Sequence, residues 1–208
     1  MQFHLDGFRV GDPDVAPASP HAGTNTEVLP DEVDVLIVGT GPAGLTLAAQ
    51  LAAFPEIRTA VAEQTAGPLT HGKADGIACR TMEMFEAFGF RERVEREAYW
   101  VNETTFWKSA DDDRGRIVRQ GRVQDVEDGL SPYPHVILNQ ARVHDFYLDI
   151  MRNSPSRLAP HYSRRLVDLK IDPSLSADLD AHPVTATFER VDPEHAGRTE
   201  TVRARYVV

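Results

Sequence analysis

Residues 33–53 constrain this chain more than any other stretch: Val33-Asp-Val-Leu-Ile-Val38 runs into Gly39-Thr-Gly41-Pro42-Ala43-Gly44 and then into Leu45-Thr-Leu-Ala-Ala-Gln-Leu-Ala-Ala53. An apolar run, a glycine turn and a helix-forming run follow one another without a spare residue, which predicts a strand, a tight turn and a helix. Gly39 lets the chain turn sharply off the strand, Gly41 presents no Cβ to an approaching pyrophosphate, and Gly44 lets the helix lie close to the strand. The helix then aims free N–H groups and the positive end of its dipole at the turn. Pro42 loses nothing there, because its missing N–H would have no helical partner.

Glycine turns of this spacing are common, and an ordinary buried strand–helix–strand unit is the bland alternative; the surroundings decide. Arg58-Thr-Ala-Val-Ala-Glu63 reads as a second strand ending in an acid, about twenty residues beyond the last glycine. A carboxylate there accepts ribose hydroxyls and repels a 2′-phosphate. Together these features predict that Gly39, Gly41, Pro42, Ala43, Gly44 and Glu63 bind an adenine dinucleotide.

With 208 residues the chain is long enough for one well-buried α/β domain, or one plus an incomplete second. Its net charge of −10 argues against nucleic acid and anionic membrane as partners. A single cysteine, Cys79, excludes an internal disulfide framework and suits a reducing cytoplasm; it reads as a small apolar residue. No signal-peptide pattern opens the chain, and Asp34, the glycines and Pro42 make residues 33–54 a strand plus helix rather than a membrane span. A soluble, cytoplasmic protein is expected. Residues 1–30, with Pro13, Pro17, Pro20 and Pro30, read as an extended arm that Phe3, Leu5 and Phe8 can pin down. Residues 31–208 read as the domain proper.

Beyond Glu63, residues 64–80 form a long polar, glycine-rich loop, the kind that carries function. A helix follows over residues 80–88, with Met82, Met84, Phe85 and Phe88 on its apolar face and Gly89 as its stop. Residues 92–97 alternate in charge along a short solvated helix. Residues 103–108 and 115–121 read as two strands bracketing Asp111-Asp-Asp113, a hairpin tip without the ligand spacing of a calcium loop. A short strand then leads to Asn139, which caps a helix from Ala141 to about Met151 with Val143, Phe146, Tyr147 and Ile150 inside. Residues 164–171, 184–190 and 199–208 alternate as strands.

Lys73-Ala-Asp-Gly-Ile-Ala-Cys-Arg-Thr-Met-Glu-Met-Phe-Glu-Ala-Phe-Gly89, with the glycine turn and His135-Val-Ile-Leu-Asn-Gln-Ala-Arg-Val-His144, resembles the flavin-dependent aromatic hydroxylases, in their phenol 2-monooxygenase branch. The opening nine residues and Ala16-Pro-Ala-Ser-Pro20 resemble them too, so the likeness covers essentially the whole chain. It implies an α/β fold: a Rossmann-like FAD-binding domain of parallel sheet and helices, with additional antiparallel strands. It implies that Gly39, Gly41 and Gly44 hold the FAD pyrophosphate, Glu63 the adenosine ribose, and Arg80 and Gln140 further parts of the FAD, with Gln64 also cofactor-binding.

The resemblance also places Asp75 beside a substrate hydroxyl. A carboxylate there can take the phenol proton, since a phenolate pushes electrons into the ring better than a phenol; an Asp-Gly turn is the plain alternative. His135 reads either as a strand-edge residue or as the group that binds an aromatic carboxylate. The implied reaction consumes NADPH or NADH and O₂ and converts a small phenolic aromatic acid to a catechol, 3-hydroxybenzoate giving 3,4-dihydroxybenzoate. A homodimer is implied for the full-length protein. The family's next glycine-rich stretch does not follow Val208, so the resemblance implies an amino-terminal fragment, inactive alone. A nicotinamide-dependent dehydrogenase and a non-catalytic FAD-binding or interaction module remain alternatives.

Overall fold

The computed structural model describes residues 11–12, 14–20, 22, 27–175 and 177–208; the expected anchors Phe3, Leu5 and Phe8 lie outside the described residues. Along the chain run β1 (Glu32–Val38), α1 (Pro42–Leu51), β2 (Thr59–Ala62), β3 (Gly76–Ile77), α2 (Cys79–Ala87), α3 (Arg91–Glu97), β4 (Tyr99–Val101) and β5 (Glu103–Ser109). Then come β6 (Ile117–Gln124), β7 (His135–Ile137), α4 (Gln140–Asn153), β8 (Arg164–Ile171), β9 (Val184–Arg190) and β10 (Thr199–Val207). The chain forms two compact units, Met1–Leu69 with His144–Val208, and Thr70–Val143.

The first unit is built on a five-stranded sheet in the order β2-β1-β10-β9-β8. β1 runs parallel to both β2 and β10, whereas β10, β9 and β8 are antiparallel. This is the expected parallel sheet with antiparallel strands added. β1 is apolar on both faces because both are covered. Leu36, paired with Ala60, joins Ala62, Ala186, Phe188, Val202 and Ala204 in one core. Its neighbour Ile37 points the other way, as the two-residue period requires, and reaches Gly44 of α1. Small residues on α1, Ala48 and Ala49 beside Leu45, are its buried face.

The inner face of α4 holds Phe146, Tyr147 and Met151. The expected Ile150 is only half-buried, since positions 143, 147 and 151 follow the four-residue ridge of a helix and 150 falls to its side. The Tyr147 hydroxyl meets the Thr46 hydroxyl at 2.8 Å and so ties α4 to α1. Of the arm, Ala16 and Ser19 donate their N–H groups to the carbonyls of Asn153 and Pro155, both at 2.9 Å.

The second unit has a three-stranded antiparallel sheet, β3-β7-β4, and a hairpin, β5-β6. Met82 and Phe85 of α2, Phe90 and Val94 form its core. Gly89 adopts φ +80°, and the Phe90 N–H closes on the Phe85 carbonyl at 3.1 Å, the left-handed stop expected after α2. The three aspartates sit at the hairpin tip: Lys108 pairs with Asp111, Arg116 with Asp112, and the Gly115 N–H bonds Asp113.

A Cβ on Gly44 would lie 2.2 Å from the Gly39 carbonyl oxygen, whereas one on Gly41 meets nothing within 4 Å. Gly44→Ala is therefore expected to destabilise the chain by about 1–3 kcal/mol or more, as overpacking against backbone does. Gly41→Ala should stay within about 0.5 kcal/mol of the wild type. Urea unfolding of the two variants checks the contrast.

Candidate functional site

In the first unit the glycine turn is shaped as the sequence predicts. Gly39 takes φ +105°, open only to glycine at low cost, and its N–H bonds the Ala62 carbonyl at 2.8 Å, fixing the turn to the end of β2. Gly41 is the N-cap of α1 with no side-chain cap, Pro42 follows it, and no acidic residue occupies the first turn. The amide hydrogens of Ala43 and Gly44 thus face the open side of Gly41, a donor set that suits a pyrophosphate.

Glu63, the predicted ribose acceptor, is buried and already engaged by the same turn. Its Oε2 accepts the Thr40 N–H and the Thr40 hydroxyl, each at 2.8 Å, and its Oε1 accepts the Thr65 N–H at 2.8 Å. Burial pushes this carboxyl's pKa up, but the hydrogen bonds from Thr65 and Thr40 more than offset it, so the net shift is downward. The group is an anion aimed at the turn. The Thr40 hydroxyl is the donor that a ribose hydroxyl can replace without disturbing the backbone. Gln64, the next predicted contact, is exposed.

Residues 161–164 line the far side of β2. The His161 N–H bonds the Val61 carbonyl at 2.8 Å and the Glu63 N–H bonds the His161 carbonyl at 2.9 Å, a parallel bridge that sets Tyr162 opposite Glu63. Burial and the charge of Glu63 push the Tyr162 hydroxyl up to about 12, so it stays protonated. His144 of α4 is buried and its Nε2 has no hydrogen-bond partner. Burial holds its pKa down against the pull of Asp145 and Glu63. Burial, with Arg164 beside it, does the same to His161, against Glu200.

In the second unit Asp75 is exposed immediately before β3, and its carbonyl accepts the Leu138 N–H at 2.8 Å. His135 opens β7, two residues before Ile137, the partner of Gly76. A Cβ on Gly76 would lie 3.2 Å from His135 Nε2, so the ladder brings Asp75, Gly76 and His135 into one neighbourhood. Gln140 opens α4 and its Oε1 accepts the Lys73 N–H at 2.8 Å, tying the polar loop to that helix. Arg80 stands apart from these groups: its side chain is 83% exposed and paired with Glu83 one turn on.

The FAD binding domain family matches residues 32–208. The chain belongs to this FAD-binding family. Within it, the chain is 66% identical to a 3-hydroxybenzoate 4-monooxygenase of Comamonas testosteroni over all 208 residues, which make up 32% of that enzyme. The FAD-binding fold also matches a solved ternary complex of aklavinone-11 hydroxylase with FAD and aklavinone, at a TM-score of 0.62 and 26% identity, over 86% of this chain and 33% of that one. The flavin-dependent monooxygenase PieE, solved with FAD and substrate, shares the fold at a TM-score of 0.66 and 24% identity, over 86% of this chain and 30% of that one. The chain thus spans about a third of the length of the relatives it matches. Among the described residues no helix is long and apolar enough to cross a membrane.

Three residues were invisible as contributors in the sequence. Thr40 is a variable position of the glycine motif, and its hold on Glu63 appears only once β1 and β2 pair. Tyr162 carried no sequence signal, and His144, at the end of the stretch that carries the resemblance, read as a surface or packing residue.

A histidine held below its ordinary pKa, like a carboxyl held below its own, makes the folded state bind fewer protons than the unfolded chain, so both erode stability as pH falls. Stability is expected to be level above the ordinary histidine value of 6.5, to fall below it through His144 and His161, and to fall again below the ordinary carboxyl value of 4.5, where the unfolded chain binds the proton that folded Glu63 resists. His144→Leu should flatten the first slope. Thermal unfolding followed from pH 8 to 4 reads this, and an unchanged slope in the variant would refute the role of His144.

Proposed function

We propose that this chain carries the FAD-anchoring half of a monooxygenase that hydroxylates a phenolic aromatic acid, with 3-hydroxybenzoate giving 3,4-dihydroxybenzoate as the preferred reaction. The observation that carries the reading is 66% identity along the full chain to an enzyme of that name. The uncapped turn at Gly41 and the buried Glu63 anion supply the chemistry a dinucleotide needs, so the residues present fit the cofactor. Gly39, Gly41, Pro42, Ala43 and Gly44 hold the pyrophosphate, Glu63 the adenosine ribose, and Gln64, Arg80 and Gln140 further groups of the FAD.

Bound FAD supplies hydride acceptance from NADPH or NADH and the activation of O₂. The chain's own part is binding and proton handling. The exposed Asp75 carboxylate takes the proton of the substrate hydroxyl and leaves a phenolate, whose ring is far more nucleophilic. His135 holds the aromatic carboxylate. Residues 31–208 act as the amino-terminal part of the FAD-binding domain behind an arm of residues 1–30. A homodimer and a cytoplasmic setting go with this reading; the single cysteine agrees with the second.

A visible absorption spectrum of the purified chain, with intact mass from the same sample, tests the cofactor reading. Bound flavin in the wild type and its loss in Gly41→Val, at unchanged fold, is the expected result; no flavin bound even with added FAD would sink it for this chain. In the FAD-loaded enzyme carrying this chain, Asp75→Asn should lower hydroxylation by about 10²–10⁴-fold, the range for loss of a general base, while FAD stays bound.

A further inference from the structure

The reading above uses His135 but not Asp125, the part-buried acid paired with it. β4 and β5 are separated by a single residue, Asn102, and each pairs with a different partner. Val101 pairs with His135 at the start of β7, while Glu103 pairs with Gln124 at the end of β6. The end of one strand and the start of the other are thereby brought together at Asn102, whose carbonyl accepts the Asp125 N–H at 3.1 Å. Asp125 Oδ2 lies 2.6 Å from His135 Nδ1, and Asp125 Oδ1 accepts the Thr104 hydroxyl at 3.3 Å. Both side chains are mostly enclosed, at 19% and 29% exposure, so the pair is shielded from the screening that weakens surface ion pairs.

An ionised carboxylate only accepts, so Nδ1 is the donor in this contact. The orientation of the ring is then settled, and Nε2 is the nitrogen left facing Gly76, next to Asp75. A neutral ring in this tautomer presents a lone pair at Nε2, which a carboxylate would repel. A ring protonated on both nitrogens presents a second N–H at Nε2, which a carboxylate accepts.

We propose that Asp125 is the positioning residue that holds the His135 ring with Nε2 turned toward the substrate carboxylate, selecting a phenol that carries an acid group over one that does not. The proposal rests on the substrate reading given above. Asp125 touches no substrate; it acts by fixing the ring, the orienting role a buried acid plays behind a catalytic histidine elsewhere. Gly76 belongs to the same device, because a side chain there would press on Nε2.

The test uses the FAD-loaded enzyme carrying this chain, with ligand binding read from the perturbation of the flavin spectrum so that turnover is not required. The probes are 3-hydroxybenzoate and its uncharged analogue 3-hydroxybenzyl alcohol. In Asp125→Asn, affinity for 3-hydroxybenzoate is expected to fall about ten-fold or more, the loss typical of a charge-assisted hydrogen bond, while affinity for the alcohol changes less than about two-fold. Asp125→Glu should restore part of the difference. An equal loss for both ligands would make Asp125 merely structural and overturn the proposal, as would no loss for either. If the wild type binds neither ligand, the substrate reading itself falls, a result distinct from both. In the chain alone, ¹⁵N NMR should report a proton on His135 Nδ1 that Asp125→Asn releases; a ring protonated only on Nε2 would equally overturn the proposal.

Discussion

A buried carboxylate at the end of β2 is the point on which the first unit turns. Glu63 takes the amide and hydroxyl of Thr40 on one oxygen and the amide of Thr65 on the other. An ion taken out of water is costly unless its lone pairs are occupied, and here the chain itself occupies them. The consequence is mechanical. The carboxylate fixes the loop after β1 against the loop after β2, so the glycine turn is held in shape by the residue that would read the ribose. The glycine turn and the carboxylate are then one rigid object, and pre-organisation of that kind lowers the ordering cost of binding a ligand there.

The same economy explains the contact between β1 and α1. Gly44 lies against the Gly39 carbonyl so closely that no side chain fits, and Ile37 fills the adjoining space. Close approach keeps the first amides of α1 next to the end of β1, where the sheet presents its ligand crevice. On the opposite side of the sheet, β10 extends the parallel register of β1 and continues into the antiparallel strands β9 and β8, burying Phe188 and Val202 beneath Leu36. The strand that bears the glycine turn is thus flanked on both edges and covered on both faces.

Much of this was legible in residues 33–63 because each constraint there is local. A glycine with positive φ, a glycine under a carbonyl and an acid at a strand end leave the same mark in any sequence that uses them. The hairpin and the three later strands were legible from alternation and turn residues, and Asn139 as a cap from its position: its Oδ1 accepts the Ala141 N–H at 2.9 Å. What alternation cannot carry is pairing between distant strands. Asp125 and His135 are ten residues apart and look like two unrelated loop residues until Asn102 passes its neighbours from one sheet to the other. The inner face of α4 failed by one residue for a related reason, since Ile150 and Met151 are equally apolar and only the packed ridge chooses between them. The boundary of the second unit leaves no mark in composition at all.

Residues 70–143 stand in the sequence between β2 and most of α4, the strand and crossover helix of one parallel unit that ends at the bridge of His161 with Ala62. A crossover in such a fold needs little more than its helix, so the insertion adds nothing the sheet requires. Asp75, His135 and Asp125 all lie within it, whereas the glycine turn and Glu63 lie outside. The turn and Glu63 are locked by backbone contacts. The inserted residues are positioned by side-chain pairs on short strands, which substitution can alter without unfolding the sheet. Substitution is therefore expected to alter the side-chain pairs of the insertion more readily than the turn and Glu63.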